Sequence, residues 1–240
     1  RLKALRKVGA FVEAPSFYGY LSGRRNLEIF AGLSGGASRD LIDQTLEMVG
    51  LFGRENDPVR VYSHGMKARL GIAACLLPRP ELMVLDEPTD GLDPHGIREI
   101  RELIKRLARE ENLTVFLSSH MLSEVENLCN RIAILEKGHI IVEGKLEELE
   151  REHRRTRIES PRLDDAAAHL RQRHGIEVLA RDERGIFVQI NGARPEELLD
   201  DLHQHSIPIS AWMPEQAWLD RLFLQLTTTK ESTLRVGAEE

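Results

Sequence analysis

Two short apolar segments, separated by an amphipathic helix, do most to limit what this chain can fold into. "LMVLDE" (82–87) and "LTVFLSSH" (113–120) each have the composition of a buried strand that ends in polar residues. The segment between them, "HGIREIRELIKRLARE" (95–110), has the apolar spacing of an amphipathic helix. A strand, a helix and a second strand in this order form a right-handed crossover between parallel strands. The sequence therefore predicts an α/β protein with a parallel sheet.

The pattern of strands and helices changes along the chain. Strands and helices alternate up to residue 145, and a densely charged run follows, "LEELEREHRRTR". Beyond it, the order strand, helix, two strands, helix, strand and final helix predicts a small α+β domain of the split βαβ, ferredoxin-like type. We therefore expect a first domain over 1–145, a charged linker or solvated helix over 146–157, an accessory domain over 158–227 and a polar tail over 228–240.

Composition excludes several classes of protein. The net charge of −6 provides no general positive field that would attract nucleic acid, so no nucleic-acid partner is expected. No apolar run approaches the roughly 20 residues that span a bilayer, and the first residues do not form a signal peptide. The two cysteines, Cys75 and Cys129, lie in apolar patterns, which predicts buried free thiols in a reducing cytoplasm.

Polar side chains follow both predicted strands. Asp86 and Glu87 end the first strand, and Ser119 and His120 end the second. The carboxyl ends of parallel strands meet at one edge of a sheet, where ligands bind. There, Asp86 could hold Mg²⁺, Glu87 could polarise an attacking water, and His120 could donate to a phosphate oxygen. The alternative is that the carboxylates cap a turn and the histidine is structural.

The segment "YSHGMK" precedes another predicted helix. Ser63 suits the N-cap position, and Gly65 leaves the backbone open in the first turn. Exposed N–H groups and the helix dipole make such a terminus an anion site. The alternative is an ordinary capped helix without a ligand.

These motifs together resemble the nucleotide-binding subunit of an ATP-binding cassette (ABC) transporter. The resemblance rests on "YSHGMKARLGIAACLLPRPELMVLDEPTDGLDP" followed by "TVFLSSH", and it covers the first 145 residues. The C-terminal part, ending in "AWLDRLFLQLT", is similar to the accessory segment of drug- and bacitracin-type exporter ATPases. The resemblance implies a P-loop NTPase-like parallel sheet with a helical signature subdomain, and ATP and Mg²⁺ as cofactors. It also implies a nucleotide-sandwich dimer, with itself or a paralogous ATPase subunit, held by an integral-membrane permease at the inner face of the cell membrane.

The resemblance assigns roles to single residues. Asp86 matches the magnesium-site aspartate, Glu87 the catalytic base and His120 the switch histidine. Asp93 matches the aspartate of the D-loop, which faces the partner subunit.

The signature loop and the strand near the start of the chain depart from the family's pattern. Ser63 and Gly65 match the signature residues that contact ATP held by the opposite subunit, but His64 replaces a glycine and Met66 a glutamine. Glu13 replaces the glutamine that senses magnesium and the permease. A carboxylate can still bind Mg²⁺, although it cannot donate as an amide does. The following "SFYGYL" is expected either near the permease or as an ordinary set of loop anchors.

The phosphate loop of the family does not occur in these 240 residues. No G-x-x-x-x-G-K-[ST] is present, and "EGKLEE" lacks the first glycine and the hydroxyl. We expect this loop to lie before Arg1, so that the chain begins inside a domain and is inactive alone. Two alternatives stay open: a non-catalytic module that donates its signature motif to a partner's nucleotide, or a soluble cassette ATPase with no role in transport.

Overall fold

The computed structural model describes residues 5–12, 16–33, 35–191 and 194–234, the last seven by their backbone only. The chain divides into two compact units, Arg1–Met121 and Leu122–Glu240. The boundary between the two units lies after Met121, whereas the sequence predicts that the first domain ends at residue 145.

The first unit is built on a parallel sheet of three strands. These are β1 (Val8–Phe11), β2 (Leu82–Asp86) and β3 (Thr114–Ser118), in the order β1-β2-β3. Both pairings are parallel, as the crossover pattern predicts. The register aligns the carboxyl ends of β2 and β3, since Asp86 lies opposite Ser118.

Four helices accompany this sheet: α1 (Gly23–Leu33), α2 (Arg39–Met48), α3 (His64–Leu76) and α4 (Pro94–Glu110). The fourth connects β2 to β3, and its residues Ile100 and Leu107 are buried. Side chains along a strand alternate between the two faces, and Met83 and Leu85 of β2 are buried on the same face. These side chains belong to the hydrophobic core, which fixes the positions of the strand ends.

Strand β3 is more exposed than its sequence predicts. Phe116 has 64% of its surface exposed, while its neighbours Val115 and Leu117 are half-buried. The prediction of a fully buried strand is therefore wrong. Among the described residues β3 is an edge strand, and its alternate side chains on one face have no helix over them.

Helix α3 lies unusually close to β1. A Cβ atom added to Gly9 would lie 2.2 Å from the carbonyl oxygen of Cys75, so only glycine permits this approach. Cys75 is a buried free thiol, as predicted, and burial raises its pKa to about 12. Cys129 is also free but only half-buried.

The second unit begins with a helix, a hairpin and another helix. Their bounds are α5 (Leu122–Leu128), β4 (Arg131–Glu136), β5 (His139–Lys145) and α6 (Leu146–His153). The hairpin turns at Lys137 and Gly138, as predicted, and both have positive φ, the backbone that a tight two-residue turn requires.

The rest of the second unit has the predicted split βαβ order. It comprises β6 (Arg155–Glu159), α7 (Leu163–Arg171), β7 (Ile176–Arg181), β8 (Gly185–Ile190), α8 (Pro195–Gln204), β9 (Ala211–Pro214) and α9 (Trp218–Leu234). The strand order is β7-β8-β6-β9, and all neighbouring pairs are antiparallel. This is the ferredoxin-like arrangement, with a core that includes Ile158, Leu170, Ile186 and Leu202.

The charged run forms regular structure, and the last helix extends into the first part of the predicted tail. Residues 146–157 form α6 and the start of β6, and Leu149 is buried within a second core cluster that also contains Trp218. Helix α9 continues to Leu234, because neither glycine nor proline interrupts the chain between residue 218 and that point.

We predict that Gly9→Ala destabilises the first unit by about 3 kcal/mol, because the new methyl group collides with a backbone oxygen that cannot rotate away. Urea unfolding measures the change. Gly32→Ala is the matched control: no atom lies within 4 Å of its added Cβ in helix α1, so it should stabilise by about 0.5 kcal/mol. Equal stability of the two variants would contradict the close approach of α3 to β1.

Candidate functional site

The carboxyl ends of β2 and β3 are joined by a serine hydroxyl. Ser118 Oγ donates to Asp86 Oδ1 at 2.5 Å and accepts the backbone N–H of Glu87 at 3.1 Å. One side chain thereby holds the last residue of β2 and the first residue after it. Sequence reasoning did not find Ser118. Its position opposite Asp86 follows from the register of β2 with β3, and this register depends on strand lengths that the sequence does not specify.

Glu87 and His120 form a pair beside this serine. The Nδ1 atom of His120 lies 2.9 Å from Glu87 Oε2, and the histidine ring is 65% exposed. Glu87 has φ +47°, a left-handed backbone that ends the strand and costs about 1–2 kcal/mol in a residue other than glycine. The structure thus brings together Asp86, Glu87 and His120, three of the residues selected from the sequence.

The donor set at this edge is suited to Mg²⁺. The carboxylate of Asp86 is hydrogen-bonded to the hydroxyl of Ser118, and the carboxylate of the next residue, Glu87, contacts His120. Hard divalent cations prefer oxygen ligands of this kind. Within the described part of the chain, no hydrogen bond engages the second oxygen of Asp86, Oδ2. The residues present therefore fit a magnesium ion held by Asp86, directly or through water.

Ser63 and Gly65 lie at a different place, the N-terminus of α3. Ser63 Oγ accepts the backbone N–H of Met66 at 3.2 Å, which confirms the predicted N-cap. An added Cβ on Gly65 would meet only that Oγ atom, at 4.0 Å, so the first turn is open. His64 is exposed and does not fill this space. The helix end can thus receive an anion.

Asp93 caps helix α4. Its carboxylate accepts the backbone N–H of Gly96 at 2.7 Å, and Pro94 occupies the first helical position. The resemblance did not imply this structural role, although aspartate followed by proline is a usual start of a helix. Glu13 lies outside the described residues.

The fold and the site together define a class. A parallel sheet with a magnesium-type acid at one strand end, a glutamate–histidine pair beside it and an anion-binding helix terminus is typical of α/β nucleotide-binding proteins.

Similarity to known sequences is more specific. The chain is 37% identical over 230 residues to the uncharacterized ABC transporter ATP-binding protein YdbJ of Bacillus subtilis, covering 95% of this chain and 74% of YdbJ. It is 52% identical over 139 residues to YhcH of the same organism and 45% identical over 149 residues to the bacitracin transport ATP-binding protein BcrA of Enterococcus faecalis. The chain belongs to the family of ABC transporter ATP-binding proteins. It spans 46% of YhcH and 48% of BcrA, about half of each.

Solved structures show the same fold. The chain is 26% identical to cbiO1 of Clostridium perfringens, part of an ABC transporter complex, with a TM-score of 0.56 over 62% of this chain and 61% of that one. It is 27% identical to the ATP-binding cassette MJ0796, with a TM-score of 0.53 over 60% and 66% of the two chains. Residues 9–126 match a family model described as an AAA domain, putative AbiEii toxin of a type IV toxin–antitoxin system. The expected P-loop NTPase-like fold is confirmed.

We predict that Glu87→Gly is more stable than Glu87→Gln by about 0.5–1 kcal/mol. Glycine adopts a left-handed backbone without steric cost, and this gain exceeds its larger entropy loss on folding. Glutamine keeps the strained backbone and the approximate shape, so it is the proper reference. Urea unfolding of both variants measures the difference, and a less stable glycine variant would refute the strain at this position.

Proposed function

We propose that this chain belongs to the ATP-hydrolysing subunit of an ABC transporter that exports its substrate, with ATP and Mg²⁺ as cofactors. The observation that carries the proposal is the Glu87–His120 pair beside Asp86. Further support comes from the relatives, which include bacitracin and lantibiotic transport ATP-binding proteins.

In the proposed mechanism each residue at the strand ends has one task. Magnesium ATP, when bound, supplies the phosphoryl group that is transferred to water. Asp86 would hold the metal ion, and Ser118 keeps the carboxylate in position through its hydroxyl. Glu87 orients the attacking water and accepts its proton, while the hydrogen bond from His120 fixes the glutamate. When both ring nitrogens of His120 carry a proton, the second can donate to a terminal phosphate oxygen.

Two chains are needed in this proposal. Ser63 and Gly65 present the open end of α3 to the nucleotide of the opposite subunit, in a homodimer or beside a paralogous ATPase. The dimeric structure of MJ0796 with ADP and phosphate supports this arrangement by similarity. Glu13 is proposed as a further contact to Mg²⁺, and Asp93 as a residue that faces the partner subunit while it caps its own helix.

The open N-terminus of α3 supports a second candidate function. In this alternative the chain is a non-catalytic module that donates Ser63 and Gly65 to a partner's nucleotide. Tight, magnesium-dependent binding of ATP to this chain alone would exclude that candidate.

The loop after β1 is proposed as the permease contact. Asn26 is fully buried; its side chain accepts the N–H of Tyr18 at 2.8 Å and donates to the carbonyl groups of Tyr18 and Ser22. Residues 18–22 of this loop are therefore held in place, although Tyr18 and Tyr20 are 49% and 73% exposed. Fixed, exposed aromatic side chains are typical of protein interfaces.

The proposed location follows from this partner. No described helix is long and apolar enough to cross a membrane. We place the subunit at the cytoplasmic face of the cell membrane because of its proposed permease partner.

The hydrolytic role is tested by Glu87→Gln in the protein translated from its gene, with any residues encoded upstream of Arg1 included. We expect ATP turnover to fall by about 100-fold or more, because the amide cannot accept a proton from water. Glu81→Gln makes the same chemical change just before the opposite end of β2 and should leave turnover unchanged. Undiminished hydrolysis in Glu87→Gln would exclude Glu87 as the base.

The permease contact is tested by photo-crosslinking in cells. A benzophenone amino acid in place of Tyr20 should crosslink to a polytopic membrane protein, because the ring is exposed on a fixed loop. The same amino acid in place of Phe52, which is 63% exposed elsewhere in this unit, is the control. Crosslinks from position 20 to ribosomal or DNA-repair proteins would favour a cassette ATPase that does not serve transport.

A further inference from the structure

Two histidines and one aspartate converge in the ferredoxin-like unit, within the second compact unit. His169 lies in α7, Asp201 lies in the last turn of α8, and His205 is the C-cap of that helix. The ligand atoms of the three side chains all lie within 4.8 Å of one another. Nε2 of His169 is 2.5 Å from Asp201 Oδ2, and Nδ1 of His205 is 3.5 Å from Oδ1.

The surroundings of the three side chains hold them in place. Asp201 is 7% exposed, and its neighbours in sequence include the fully buried Leu202. His169 precedes Leu170, which is also fully buried in the same core. All three positions therefore lie on or directly at the end of packed helices, and little ordering is needed before they could bind a ligand.

The chemistry of the three groups favours a metal ion. The two imidazole rings have centroids 4.4 Å apart. His169 contacts the carboxylate of Asp201, whereas Nδ1 of His205 lies 2.9 Å from the backbone carbonyl oxygen of Asp201 and 3.5 Å from its carboxylate, which leaves Nε2 of His205 as the ligand atom. Two imidazoles with one carboxylate are a usual ligand set of Zn²⁺, which binds nitrogen and oxygen at about 2.0–2.2 Å in a tetrahedral arrangement. The carbonyl groups at the C-terminus of α8 add partial negative charge at the same place, which also favours a cation.

We propose that His169, Asp201 and His205 form a binding site for Zn²⁺ or a similar transition-metal ion, with the fourth position open to water. The metal would link α7 to α8 and thereby stabilise the accessory unit. Mg²⁺ would not replace it, because imidazole nitrogen is a poor ligand for that ion.

Arg173 contacts the carboxylate of the proposed metal site. Its guanidinium lies 2.5 Å from Asp201 Oδ1, so it competes with a metal for that oxygen. The arginine side chain is 47% exposed and can move into solvent. Removing the charge of Arg173 should therefore strengthen metal binding. If the ion pair with Asp201 served only to stabilise the fold, its loss would not strengthen metal binding.

The test is a titration of the untagged chain with Zn²⁺ in competition with a chromophoric chelator. His169→Gln and His205→Gln should each weaken binding by about 100-fold, because each removes a ligand. Arg173→Gln should strengthen it by about tenfold, because one positive charge near the metal is lost. A misfolded variant cannot produce that gain.

Two control variants separate this site from other histidines. His203→Gln changes an exposed residue on the same helix, and His120→Ala removes the histidine of the nucleotide site in the first unit. Both should bind one Zn²⁺ as tightly as the unaltered chain. Loss of binding in His120→Ala alone, equal binding in all variants, no zinc binding by the unaltered chain, or weaker binding in Arg173→Gln would each overturn the proposal.

Discussion

The parallel pairing of β2 with β3 is the contact on which the candidate site depends. It places Asp86 opposite Ser118, and the serine hydroxyl then contacts both Asp86 and the backbone of Glu87. A slip of one residue would turn every side chain of a strand to the other face. The buried Met83 and Leu85 oppose such a slip, so the hydrophobic core of the first unit also determines the geometry of its polar edge.

Much of the fold could be predicted, because it depends on local patterns. The crossover through α4 follows from two apolar strands and an amphipathic helix, and the hairpin turn at Lys137 and Gly138 follows from turn chemistry. The exposure of Phe116 could not be predicted in this way. Burial of a strand depends on what covers each face of the sheet, and a run of apolar residues carries no information about its neighbours.

The residues of the candidate site also include some that could be predicted from the sequence and some that could not. Asp86, Glu87 and His120 could be selected because acids and histidines at strand ends are visible in the sequence. Ser118 could not, because its importance comes from the register of two strands that are separated by 27 residues, 87–113. The cluster of His169, Asp201 and His205 was missed for a related reason, since it combines residues of two helices that meet only in the folded unit.

The strained backbone of Glu87 links stability to the proposed function. The left-handed conformation is unfavourable for glutamate, and its side chain is partly exposed. The glutamate gains the hydrogen bond with His120. A residue that is costly for the fold and yet forms an acid–histidine pair at this edge is consistent with the proposed role of Glu87 at the phosphate. In a simple turn at this place, glycine would be more favourable than glutamate because it adopts a left-handed backbone without steric cost.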